Sequence, residues 1–155
     1  MNDAVDHIMQ VMEAAFDPAF GEAWNRRQVS DSLLMANCRC LILDRNLQQV
    51  ESTGIAAGFL MSRQAVDEEE VLLIAVRPDC RRQGIAAALL NQLIADANQR
   101  GVRKLFLEMR ENNPAEAFYL KQHFIPVGRR PNYYRRGAMG VVDAITFERS
   151  IEIAS

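Results

Sequence analysis

The chain has 155 residues, 49% of them hydrophobic and 25% charged, with a formal net charge of −2. That is enough chain for one domain with its own core, expected over residues 1–155, and its balance argues against general nucleic-acid binding. No apolar run approaches the roughly 20 residues of a membrane span, and acids stand near the start where a secretory signal would carry bases, so a cytoplasmic protein without membrane or nucleic-acid partners is expected.

The first predicted helix starts at an Asp3 or Asp6 cap and runs to about Phe16, with Val5, Ile8, Met9, Met12 and Phe16 at helical spacing. His7 lies just inside its start and reads as solvated. Asp17-Pro18 and Gly21 break the helix, and a second is predicted near residues 26–35. Trp24, the single tryptophan, reads first as a lid on the core. A strand at 39–43 (RCLIL), a polar turn at 44–53 and an antiparallel partner at 54–62 follow. Residues 63–69 read as a polar loop, and the acidic run at 67–70 as a solvated one. Cys38 and Cys40 would share one strand face as small core residues, with no second pair for zinc, and Cys80 reads as a loop residue; no metal is expected.

Residues 70–100 organise the rest. Val71 to Val76 is an unbroken apolar run, as in a strand buried on both faces, and Pro78 ends it. Arg81-Arg82-Gln83-Gly84-Ile85-Ala86 then leads into a helix with Ile85, Leu89, Leu93 and Ala97 on one stripe, closed by Gly101. A helix start exposes free N–H groups and a partial positive charge. With Gly84 and Ala86 small and Arg81 and Arg82 adding charge, this is a turn suited to a phosphate group. It lacks the Lys-Ser/Thr ending of a P-loop and two glycines of the dinucleotide fingerprint.

A second buried strand is predicted at 103–109 (RKLFLEM), where Glu108 stands beside apolar neighbours. A carboxylate there needs hydrogen-bond partners or water, and such a group can serve as a base; exposure on the alternate face is the equal alternative. A loop at 110–114, a short helix at 115–123 and a strand at 124–127 follow, the last made irregular or placed at an edge by Pro126. Residues 128–140 read as a basic, aromatic loop and 141–151 as the last strand.

Arg81-x-x-Gly84-x-Ala86 after VLLIAV resembles the acetyl-CoA pyrophosphate motif of the GCN5-related N-acetyltransferase (GNAT) superfamily. The resemblance implies an α+β, three-layer fold: a mixed, mostly antiparallel sheet of about six strands, splayed at its centre and flanked by helices. It implies acetyl-CoA as co-substrate, with the pantetheine arm against Ile74, Ala75 and Val76. The diphosphate would lie against Arg81, Arg82, Gln83, Gly84, Ile85, Ala86 and Ala87. Leu107-Glu108-Met109-Arg110, Asn112, Ala115, Tyr119 and Phe124 are similar to the ribosomal-protein alanine N-acetyltransferase branch. So are Asn132-Tyr133-Tyr134 and Asp143-Ala144-Ile145. By that likeness Glu108 is the general base, Tyr119 the general acid and a cofactor contact, and Asn112 a further cofactor contact. The loop is one residue short, so Asn113 is the alternative. Tyr133 and Tyr134 would meet the acceptor in a loop closing over it, with Trp24 and Glu22 as secondary candidates on the cleft wall. His123 replaces the usual Gly before Phe, Pro131 breaks the Arg-Arg-Asn-Tyr-Tyr run, and the strand preceding the first helix looks short or missing. The implied activity is acetyl transfer to a protein N-terminal α-amine by a monomer or homodimer. The alternatives are transfer to a small-molecule amine, or an acetyl-CoA-binding module without catalysis.

Overall fold

A computed structural model describes residues 3–16, 23–134 and 141–151. In chain order come α1 (Ala4–Ala15), α2 (Arg26–Leu33), β1 (Cys38–Leu43), β2 (Gly58–Ala65), β3 (Glu68–Val76), a 3-10 turn (Pro78–Cys80), α3 (Ile85–Gln99), β4 (Lys104–Arg110), α4 (Glu116–Lys121), β5 (Ile125–Tyr134) and β6 (Val142–Ser150). The six strands form one sheet in the order β1-β2-β3-β4-β6-β5. Every neighbouring pair is antiparallel except β3 with β4. The mixed, mostly antiparallel sheet expected from the resemblance is therefore present.

Helices cover both faces of the sheet, giving three layers. On one face Ile85, Leu89, Leu90, Leu93 and Ala97 of α3 pack with Leu60, Val71, Leu105, Leu107 and Phe147 from the strands. On the other, Ile8, Met9 and Met12 of α1 and Val29 of α2 pack on Phe59, Met61, Leu73 and Ala75. Each fully buried Leu, Ile or Phe side chain contributes about 1.5–3 kcal/mol relative to exposure. Among the described residues no helix is long and apolar enough to cross a membrane.

α1 starts on Asp3, whose side chain accepts from the Asp6 N–H while Asp6 accepts from the Asp3 N–H. α2 starts the same way on Asn25 and Gln28. Both are capping boxes that satisfy two otherwise free donors. α3 ends on Gly101 at φ +80°, with Val102 N–H on Ala97 O and Gly101 N–H on Asn98 O. α4 ends by the same pattern on His123 at φ +68°, with Phe124 N–H on Tyr119 O and His123 N–H on Leu120 O. These are Schellman motifs, and His123 occupies the left-handed position that a glycine adopts without strain.

Several expectations are corrected. His7 is buried rather than solvated, and neither ring nitrogen has a hydrogen-bond partner among the described residues. α1 buries a face wider than its apolar stripe. β2 and β3 form a tight hairpin turning at Val66-Asp67, so residues 68–70 belong to a strand and not to a solvated loop. Alternation then buries Glu69 completely, with Ser62 and Arg100 as its partners. Cys80 is a core residue beneath the start of α3, while Cys38 and Cys40 are only half-buried. The segment from 128 reads as a loop because of its Pro and Gly residues, yet β5 continues to Tyr134. Its place at the sheet edge makes Pro126 and Pro131 tolerable, because an edge strand needs only one row of donors.

Candidate functional site

The parallel contact between β3 and β4 is short. Glu68, Glu69 and Glu70 pair with Lys104, Leu105 and Phe106, and the register stops there. Beyond it β3 stays on β2 as far as Val76, and β4 stays on β6 as far as Arg110. The sheet therefore opens between the C-terminal halves of its two central strands. The register of β3 against β2 skips Leu72, a bulge that adds local twist and turns the strand away from β4.

The phase of β3 is set by Arg77 N–H, which donates to Ala57 O at 2.8 Å. Peptide groups alternate along an antiparallel strand, so Ala75 turns its N–H and C=O toward Phe59 on β2. Ile74 and Val76 turn theirs into the gap. Of the three strand residues expected to line a cofactor, two thus offer backbone groups there. The side chain of Ala75 is buried in the α1-side core.

The gap leads to the start of α3. Gly84 is its N-cap at φ +80°, with no side-chain cap. Arg82 also has positive φ, +63°. The N–H groups of Ile85, Ala86 and Ala87 precede the first helical bond, which Ala88 N–H makes to Gly84 O. A Cβ built at Gly84 would meet nothing within 4 Å, so backbone conformation demands the glycine while the space above it stays open. Gly58, which sequence reading passed over, seats the helix: a Cβ there would lie 2.9 Å from Ile85 Cγ2 and 3.0 Å from Ala75 O. Arg81 and Gln83 are exposed, but Arg81 already donates to Ala15 O at 3.2 Å and ties α1 to the turn. Arg82 makes no ion pair among the described residues.

Glu108 lies on β4 at the open end, its side chain 21% exposed. Thr146 Oγ1 of β6 donates to Glu108 Oε2 at 3.4 Å, and Arg130 Nε of β5 lies 3.1 Å from the same oxygen. Strand alternation puts Glu108 on the face opposite Leu107 and Met109. Tyr119 of α4 shares the core of those two residues and packs between Phe118 and Phe124, at centroid distances of 5.1 and 5.5 Å. Glu108 and Tyr119 thus lie on opposite faces of the sheet, Glu108 at the open end of β4. Burial raises the Tyr119 hydroxyl well above its ordinary value.

Asn112 is exposed at φ +66°, and the Asn113 Oδ1 accepts from Ala115 N–H at 2.9 Å. Asn113 therefore serves the start of α4, and Asn112 is the better placed of the two for an outside partner. Trp24 packs half-buried on the α1-side core. Tyr133 is half-exposed under the Arg130 guanidinium, 5.3 Å from its ring centroid. Tyr134 closes β5, but its side chain lies outside the described residues, as does Glu22. Tyr133 sits on a strand, not in the expected loop, beside a bulge of β5 between Arg130 and Tyr134. Asp143 organises that bulge: it accepts from Asn132 N–H at 2.9 Å and from Arg129 at 2.5 Å, contacts that hold its carboxyl below the usual range. Sequence reading missed Arg130 and Thr146, which reach Glu108 only through register across β6.

Among the described residues no cluster of three His, Cys, Asp or Glu side chains could hold a metal. A concavity of about 540 Å³ lined by Asn98, Glu148 and Arg149 lies toward the closed end of the sheet, away from these groups.

The acetyltransferase (GNAT) family model matches residues 7–124. The chain belongs to the GNAT family. The match reaches back through α1, well before residue 71, where the likeness in motifs begins. The [ribosomal protein bS18]-alanine N-acetyltransferase of Escherichia coli K12 is 40% identical over 87 residues, 56% of this chain and 59% of that relative, so the match spans less than two thirds of the relative's length. A Bacillus subtilis protein named as a putative enzyme of the same kind is 31% identical over 131 residues, 84% of this chain and 80% of that one. The crystal structure of the Escherichia coli ribosomal-protein-S18-alanine N-acetyltransferase superposes with a TM-score of 0.77 at 30% identity, covering 94% of this chain and 86% of that one. This GNAT chain thus shares its architecture over nearly its whole length with a ribosomal-protein-alanine N-acetyltransferase.

Proposed function

We propose that the chain is an acetyl-CoA-dependent N-acetyltransferase acting on a protein N-terminal α-amine, of the ribosomal-protein alanine kind. One observation carries the reading. The sheet opens beside an uncapped helix start, with Glu108 on β4 at the open end.

The N–H groups from Arg82 to Ala87 receive the diphosphate, by the same charge and donor arrangement that suits any phosphate at a helix start. Ile74 and Val76 offer the pantetheine arm a strand edge, and Asn112 a polar contact. Acetyl-CoA supplies an activated thioester in the gap. Glu108 takes the proton from the attacking amine, whose ordinary pKa is about 7.7–8.0. A backbone N–H near Val76 stabilises the oxyanion. Tyr119, a phenol protonated at neutral pH, gives its proton to the departing thiolate. Tyr133 borders the acceptor side, and a free peptide end reaches Glu108 there. A protein α-amine is favoured over a small-molecule amine by the substrate for which relatives at 40% identity are named.

The test is thiol release from acetyl-CoA with two peptides: one with a free alanine N-terminus, the other Nα-blocked and carrying a lysine. Turnover with the first alone is the expected result. Turnover only with the lysine peptide, or with neither despite acetyl-CoA binding, overturns the acceptor assignment.

A further inference from the structure

We propose that Arg130 sets the charge selectivity of the acceptor side, an inference that rests on the reading of Glu108 as the base. Arg130 and Glu108 sit on strands separated by β6: Glu108 pairs with Thr146, and Arg130 with Ala144. The Arg130 side chain bridges β6 diagonally and places Nε 3.1 Å from Glu108 Oε2. Thr146 Oγ1 reaches the same oxygen at 3.4 Å. Two strands therefore engage Oε2, while Oε1 takes no hydrogen bond among the described residues and is the oxygen that meets an acceptor.

The Arg130 side chain is 63% exposed, and its guanidinium rests between Glu108 and the Tyr133 ring. The Tyr133 ring lies beneath it at 5.3 Å. The β5 bulge that brings Tyr133 back to Arg130 is fixed by Asp143 through Asn132 N–H and Arg129. Arg129 also reaches Glu111 at 3.4 Å, so the neighbouring arginine is already paired and leaves Glu108 to Arg130.

The consequence is electrostatic. A lone carboxylate in a partly water-excluded gap attracts any ammonium, and attracts a multiply charged one most. Bonded to Arg130, Glu108 is half of a nearly neutral pair. A monovalent α-ammonium loses its proton easily and needs only contact with Oε1. A polyamine, whose amines stay protonated like a lysine with its ordinary pKa of about 10.4, brings further positive charge against the guanidinium. Arg130 thus favours a single α-ammonium over a polyamine.

The experiment compares kcat/KM for a neutral peptide with a free alanine N-terminus and for a linear diamine. It uses the full chain with Arg130 intact, Arg130→Gln and Arg130→Lys, and acetyl-CoA binding is measured by calorimetry for each. The unaltered chain is expected to prefer the peptide. Arg130→Gln is expected to lower the peptide-to-diamine ratio about ten-fold, chiefly through the diamine KM. Arg130→Lys, which restores the charge without the guanidinium fork, is expected to keep the original ratio. An unchanged ratio in Arg130→Gln overturns the proposal, and so does a Lys variant that behaves like Gln, which would make shape and not charge the cause. An unaltered chain that binds acetyl-CoA but acetylates neither acceptor removes the acceptor reading itself. A chain that acetylates the peptide with an Arg130-independent ratio removes only this inference.

Discussion

At residues 68–70, β3 is paired on both sides, to β2 and to β4; at Ile74 and Val76 it is paired to β2 alone. The closed end is locked by a buried charge cluster. Glu69, fully inaccessible, bonds Arg100 at the end of α3, and Ser62 Oγ donates to it at 2.6 Å. Arg100 also reaches Gln64 Oε1 at 2.5 Å. Buried charges are tolerated only when each is fully partnered, and here the partners come from β2 and α3. The open end has no such lock and carries the candidate chemistry. The bulge at Leu72 separates the two regimes, so one strand serves as both a clamp and the proposed binding edge.

Disturbing the clamp should give the largest effect. Arg100→Ala strands Glu69 without its cation and is expected to lower stability by about 3–5 kcal/mol, read from urea unfolding. A loss below about 1 kcal/mol, the size of an exposed pair, would mean that the closed end does not hold the fork. Glu108→Gln works at the other end. Turnover should fall about a hundred-fold or more while unfolding stays near the original, since the change is isosteric. Retained turnover would remove Glu108 from the base role. Gly84→Ala should cost about 1–2 kcal/mol through its left-handed conformation alone, because the added Cβ meets no atom. The same variant should weaken acetyl-CoA binding by more than that strain explains, as calorimetry would show. The smallest effect lies outside both ends. His123→Gly should stabilise by about 0.5–1 kcal/mol, raising the thermal midpoint without altering turnover.

The central unit was legible because its signals are local. Pro78 stops the strand, Gly84 and Gly101 bracket α3, and the stripe from Ile85 to Ala97 has one period. The rest depends on partners distant in sequence. Three successive glutamates hide the alternation that buries Glu69, whose cation lies 31 residues away. β5 was obscured by Pro126, Gly128 and Pro131, which argue against a central strand and are harmless at an edge with bulges. His7 carries no local mark of burial, since its position relative to the α1 stripe is ambiguous until α1 docks on the sheet. Arg130 was visible only as part of a basic run. Its relation to Glu108 is a matter of register across an intervening strand, which no local pattern encodes.

The unpaired edge at Ile74 and Val76 has a thermodynamic corollary. Those peptide groups forgo a sheet partner in the free chain, so any molecule that lies along them completes the sheet and binds the folded state alone. Mass action then links stability to ligand supply: at a hundred times its dissociation constant such a molecule adds about 2.7 kcal/mol. The fold would be most resistant to unfolding when such a molecule is plentiful and most exposed when it is scarce.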